Sequence, residues 1–221
     1  PLFTRVASSA SLRSLLDGAS DGPYITVDTI SSHPSQTQIQ QLQQQANQTL
    51  QHGVLGTYLH NAPQLIIQTP PVDIISNGKV TTPSAFHLAG YDMTQASEHT
   101  KILQGRLPQT TTGDTVEIVL AQDAAAHLGL KVGSIIQGRY PIALSSPVWN
   151  FRVVGILAPR TANDPFWAMA DPFSKSSISL NSRYYSVKDG ASSYTVLAAN
   201  TTIEPKIAAL QSTASTDNEA N

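Results

Sequence analysis

Glu117-Ile-Val-Leu-Ala-Gln-Asp-Ala-Ala-Ala-His-Leu-Gly-Leu-Lys-Val-Gly-Ser-Ile-Ile136 packs three elements into twenty residues. Val116–Leu120 is rich in branched apolar residues and reads as a strand. Gln122–Leu128 then reads as a compact helix, stopped by Gly129. Leu130-Lys131-Val132-Gly133 turns the chain into a second strand over Ser134–Gln137. The Ala124–Ala126 run lets the helix lie close on a sheet, and Gly129 and Gly133 permit a tight helix-to-strand turn. The stretch is built for packing.

Working outward, Val72–Ser76 and Lys79–Thr82 flank Asn77-Gly78, the strongest hairpin signal in the chain. Phe86–Gly90 reads as another strand, and Ala96–Gln104 as a short helix with Ile102 and Leu103 inward, ended by Gly105. Phe151–Leu157 is the best candidate for a buried strand, with Gly155 allowing close backbone approach. Pro159–Ser176 is irregular, Ser177–Leu180 and Tyr194–Ala198 are strand candidates, and Ile203–Gln211 begins a helix capped by Thr201 or Thr202. Toward the N-terminus, residues 1–22 form an amphipathic lead-in and Tyr24–Ile30 alternates as a strand. A helix over Gln36–Gln51 carries Ile39, Leu42, Ala46 and Leu50 on one packing stripe, and Gln64–Thr69 is the next strand. Strand, helix and strand over residues 24–69 make one βαβ crossover. The fold class expected is α+β.

Composition narrows the function. A chain of 221 residues can bury roughly 70% of its unfolded surface, enough for a real core. Only 13% of residues are charged and the formal net charge is -2, which excludes a basic face for nucleic acid. With no cysteine there is no disulfide scaffold, thiolate metal site or cysteine nucleophile. No apolar run approaches the ~18 residues that a membrane helix needs. The opening Pro1-Leu2-Phe3-Thr4, without methionine or leader, suggests a piece excised from a longer protein, and the Gln/Ser/Thr-rich surface suits a bacterial extracytoplasmic segment.

Motifs for chemistry are absent from the sequence. The six histidines (33, 52, 60, 87, 99 and 127) form no HExxH helix and no i, i+4 pair, and His127 reads as a helix C-terminal cation. Ser76-Asn77-Gly78-Lys79 spells SxxK, but on a hairpin turn and not at the start of a helix. Asp92, Glu98, Glu117 and Asp164 are acid/base candidates by type alone. No phosphate-binding glycine loop occurs, so no catalytic, metal or cofactor residue is assigned. One segment, Asn163-Asp164-Pro165-Phe166-Trp167, has two readings. Asp164, Pro165, Phe166 and Trp167 either anchor a partner or fold back to close the loop on the core, and Tyr184-Tyr185 invites the same pair of readings.

In order and spacing, four motifs resemble the extracytoplasmic domain of MacB/FtsX-type ABC transporter permeases. They are Leu88-Ala-Gly-Tyr-Asp92, Leu103-Gln-Gly-Arg-Leu-Pro108, the Glu117–Ile136 stretch and Phe151-Arg-Val-Val-Gly-Ile-Leu157, covering about residues 72–158. The resemblance implies a porter-like α/β layer from both chain ends, residues 1–71 plus 159–221, with residues 72–158 as an inserted β-rich subdomain. It also implies a non-enzymatic domain without cofactor on the extracytoplasmic side of the cell membrane. Such a domain couples membrane-helix motion to a substrate or protein outside. Its partners would be an ABC ATPase acting through the membrane part and a second permease copy. The Gln36–Gln51 helix and the Pro159–Ser176 loop are not hallmarks of that family. A different reading is a secreted carbohydrate- or peptide-binding module using Trp149, Trp167 and Tyr184-Tyr185. An uncharacterised hydrolase is the third.

Overall fold

In the computed structural model, the hairpin, the Ala/Gly stretch and the apolar run Phe151–Leu157 are wound into one barrel. The structure describes residues 36–52, 66–69, 71–140, 147–167, 170–176 and 193–207. The chain divides into two units, Pro1–Ile30 and Ser31–Asn221, and all described residues belong to the second. The readings over residues 1–30, Ser177–Leu180, Tyr184-Tyr185 and the C-terminal tail lie outside the described residues.

Among the described residues, nine strands are interspersed with helices. α1 (Gln36–His52) is followed by β1 (Ile67–Gln68), β2 (Val72–Ser76) and β3 (Lys79–Tyr91). After α2 (Met93–His99) come β4 (Thr100–Gly105) and β5 (Thr115–Ala121), then α3 (Gln122–Leu128) and β6 (Ile135–Arg139). β7 (Val148–Pro159), a 3-10 turn at Pro165–Trp167, β8 (Lys175–Ser176) and β9 (Ser193–Ala199) complete the strands. Residues 200–207 are helical. The fold is α+β.

The strands β3-β2-β6-β7-β5-β9 are hydrogen-bonded in that order, and β9 pairs back with β3 to close a six-stranded barrel. Most neighbours are antiparallel, but β5–β7 and β3–β9 are parallel, the latter in unbroken register from Phe86↔Tyr194 to Tyr91↔Ala199. β1, β4 and β8 attach outside this ring, to β3, β7 and β9. The sheet therefore continues across the expected boundary at residues 158/159, because β9 supplies the closing strand.

Local sequence explains most elements. Asn77 (φ 50°) and Gly78 (φ 72°) both take the left-handed backbone that a two-residue hairpin turn demands. Gly129 ends α3 with φ 66°, its N–H returning to the carbonyls of Ala125 and Ala126, as the helix-stop reading expects. α1 occupies its expected span, but Leu42 on its apolar stripe is 38% exposed. The expected helix over Ala96–Gln104 needs correction. Asp92 caps α2 through Thr94 N (2.8 Å), which starts the helix early, and Thr100 leaves it in extended conformation to begin β4. Ile102 and Leu103 consequently lie exposed on a strand and do not point into a core.

Strand periodicity divides the buried residues between two faces. Val116, Ile118 and Leu120 of β5, Phe86 and Leu88 of β3, and Val196 and Ala198 of β9 share the barrel interior. Val119, Ala89, Tyr91 and Leu197, offset by one residue, form a second cluster outside the wall. On β7 the alternation flips. A bulge leaves Val154 unmatched between Val153↔Ile118 and Gly155↔Val119, so that Ile156 points inward and Leu157 outward. The bulge brings in the chain from β4, with Arg106 N donating to Val154 O at 2.9 Å. The Arg106 carbonyl then occupies the space where any side chain at position 155 would begin.

Gly155→Ala is expected to destabilise the barrel by about 3 kcal/mol, because backbone must move to admit one methyl group. Gly113→Ala, with open space at its Cβ, should change stability by less than about 0.5 kcal/mol. Urea titration followed by far-UV circular dichroism checks both.

Candidate functional site

The outer cluster is covered by the irregular segment after β7, which runs over it as a strap. Arg160 N donates to His99 O (3.1 Å), tying the start of the strap to the end of α2. Asn163 adopts φ 55° and turns the chain into Asp164. The Asp164 carboxylate accepts from Phe166 N (3.0 Å), and its carbonyl accepts from Trp167 N (3.1 Å), which nucleates the 3-10 turn. The other carboxylate oxygen lies 2.8 Å from His99 Nδ1. The His99 ring stacks flat on Phe166, with centroids 3.9 Å apart and planes 6° apart.

Trp167 fills the centre of this arrangement. It is 3% exposed and contacts Tyr91 (5.1 Å), Phe166 (4.6 Å) and Phe173 (5.5 Å) ring to ring. Tyr91 Oη donates to Ala170 O at 3.1 Å, pinning the strap beyond the tryptophan. Burial, with a smaller contribution from Asp171, pushes the Tyr91 phenol above its ordinary range and keeps it a neutral donor. The indole Nε1 of Trp167 is buried without a hydrogen-bond partner among the described residues. Of the four partner-contact candidates, Pro165 is exposed, Asp164 and Phe166 are half-buried, and Trp167 is turned inward.

A second polar group crosses the closing seam of the barrel. His87 on β3, 1% exposed, sits between Ser193 Oγ (3.3 Å from Nδ1) and Thr195 Oγ1 (2.9 Å from Nε2) on β9. Burial lowers its pKa to about 4, so the ring is neutral at pH 7 and bridges two hydroxyls. Sequence reading missed this role. The only signal was a histidine embedded in the apolar run Phe86–Gly90.

The remaining candidates hold the fold. Glu117 receives both Arg106 Nη1 (2.7 Å) and Nη2, and also Gln109 N (2.9 Å). The Arg106 hydrogen bonds hold its carboxyl below the usual range. Asp92 caps α2, and Glu98 is exposed on the same helix. Ser76 and Lys79 lie on the hairpin, as expected for a turn. His127 is in the last turn of α3, its ring 5.2 Å from that of Tyr194. Trp149, 7% exposed, packs edge-on against Tyr140 inside the barrel, so neither tryptophan offers a free ring face. His33, His60 and the side chain of His52 lie outside the described residues. Among the described residues, no group of three His, Asp or Glu side chains is placed to hold a metal ion. No helix there is long and apolar enough to cross a membrane.

No protein-family description matches this chain, and no curated protein matches its sequence.

Two outcomes follow from this geometry. Asp164→Ala removes the charged acceptor shared by His99 and the 3-10 turn. It is expected to speed amide hydrogen exchange at Trp167 and Ala170 at least about tenfold, with Val196 and Leu197 unchanged. For His87, the folded pKa of about 4 lies below the ordinary 6.5, so the unfolded chain takes up the proton first. Its contribution is therefore full above pH 6.5 and is lost as pH falls toward 4, by roughly 3 kcal/mol. In His87→Gln, urea midpoints measured from pH 7 to pH 4 should show a correspondingly shallower decline than in the parent.

Proposed function

We propose that this chain is the extracytoplasmic domain of an ABC transporter permease of the MacB/FtsX kind. It works as a non-catalytic lever and carries no cofactor. One observation supports this reading above the others. β1, which leads into the barrel, and β9, its last strand, flank β3 at the same residue, with Ile67↔Gly90 on one edge and Gly90↔Ala198 on the other. The chain's two connections to the barrel are thus held on the two edges of one strand, β3. A displacement of the flanking segments would reach the barrel through two strands that are both hydrogen-bonded to β3 and move it as one body.

The residues behind the resemblance serve the same stiffness. Ala124 and Ala125 are buried, Gly129 and Gly133 take positive φ, and Gly155 accepts a backbone carbonyl at contact. In this reading the flanking residues outside the barrel form the porter-like layer. ATP hydrolysis belongs to an ABC ATPase that acts through the membrane part, alongside a second permease copy. The domain's partner outside the membrane is a substrate or a protein.

The full gene product, epitope-tagged and expressed in its native cells, tests the proposal. The tagged protein should stay in the membrane through a carbonate wash, and this domain should be cut by protease added outside the cell. An ABC ATPase should co-purify with it. Release of the protein into the medium, or membrane retention without an ATPase, would overturn the reading.

A further inference from the structure

Among the described residues, β4 is the one ring-external strand that exposes large apolar side chains, with Ile102 45% and Leu103 39% exposed. It pairs with β7 along one edge, and among the described residues no strand covers the other. Proteins ordinarily protect such an edge with charge, proline or a covering element. Here only Lys101 supplies charge along the exposed run Lys101–Gln104.

β4 also forms one wall of a solvent-open hollow of about 450 Å³ between β4, α3 and β7. Leu103, Leu130 and Ile156 give it apolar lining, and Gln104, Gln122 and Lys131 give it polar lining. A register shift between Ile102 and Gln104 explains why the consecutive residues Leu103 and Gln104 both line it. The lining contains one lysine and no carboxylate. Neither Lys131 nor Lys101 makes an ion pair with the described acids, whereas Arg106 is fully engaged by Glu117.

From these features we infer that the free edge of β4 is a docking site for an extended peptide segment of another protein. The segment carries an apolar and an acidic side chain two residues apart, so that both lie on the same face of the added strand. Its backbone continues the sheet past β4, an apolar side chain enters the hollow, and a carboxylate meets Lys131. A second copy of this chain fits less well. The only charged side chain on a second β4 is Lys101, so self-pairing would add a cation beside Lys131 and supply no carboxylate. The inference does not depend on the permease reading and can fail without it.

The probes are two blocked hexapeptides, acetyl-TVTETV-amide and acetyl-TVTKTV-amide, which carry valine and the charged residue on one face, titrated into the 15N-labelled chain. The acidic peptide should shift the amides of residues 101–105 and bind about three- to fivefold more tightly than the basic one. Lys131→Glu should reverse that preference. An acidic peptide N-methylated at alternate residues should not bind, since it cannot continue the ladder. Shifts that avoid β4, equal binding of the two peptides, or an unchanged preference in Lys131→Glu would overturn the inference. Concentration-dependent broadening at β4 without peptide would overturn it in favour of self-association.

Discussion

The parallel pairing of β3 with β9 is the constraint on which the architecture rests. The register joins residues more than a hundred positions apart and converts an open sheet into a closed ring. Closure gives the wall a true inside, so alternation along each strand separates an interior cluster from an exterior one. The pairing also determines where polar groups can be buried. His87 faces Thr195 directly across this seam, and the two strands satisfy each other's side chains as well as their backbones.

A ring of mixed strand directions is hard to close without irregularity, and β7 absorbs it. β7 meets β6 along its first half, β4 along its second and β5 along most of its length. The bulge at Val154 lets one strand serve these three partners, and Gly155 admits the chain that returns from β4. Gly138 plays a similar part inside the barrel. A side chain there would strike Val72 Cγ1 at 2.5 Å and Phe151 Cε2 at 2.7 Å, so large and small residues interlock across the lumen. The strap then completes the burial, covering an apolar outer face that the helices leave open.

What was legible in the sequence was local. Asn77-Gly78 announced its turn, Gly129 its helix stop, and Phe151–Leu157 its burial, because each depends on backbone preference or short-range pattern. The stretch from Thr100 to Gly105 was not legible. Its apolar pair suits a helix as well as a strand, and the choice falls to Asp92, which starts α2 early, and to the open edge of β7. Closure was invisible for the same reason, since no local feature of Ser193–Ala199 reveals that it pairs with Phe86–Tyr91. Of the site, the segment Asn163–Trp167 taken alone permits Trp167 to face outward or inward, and the fold turns it inward. Its latch to His99 joins residues 65 positions apart and could not be read from composition or spacing.

The chain has two tryptophans, and the fold places one in each apolar cluster. Trp149 belongs to the lumen and Trp167 to the strap. Their emission therefore reports two separate events. Lifting the strap alone would shift the fluorescence of one indole to the red and leave the other blue, whereas collapse of the ring would shift both. Single tryptophan-to-phenylalanine variants would assign each signal without adding any external label.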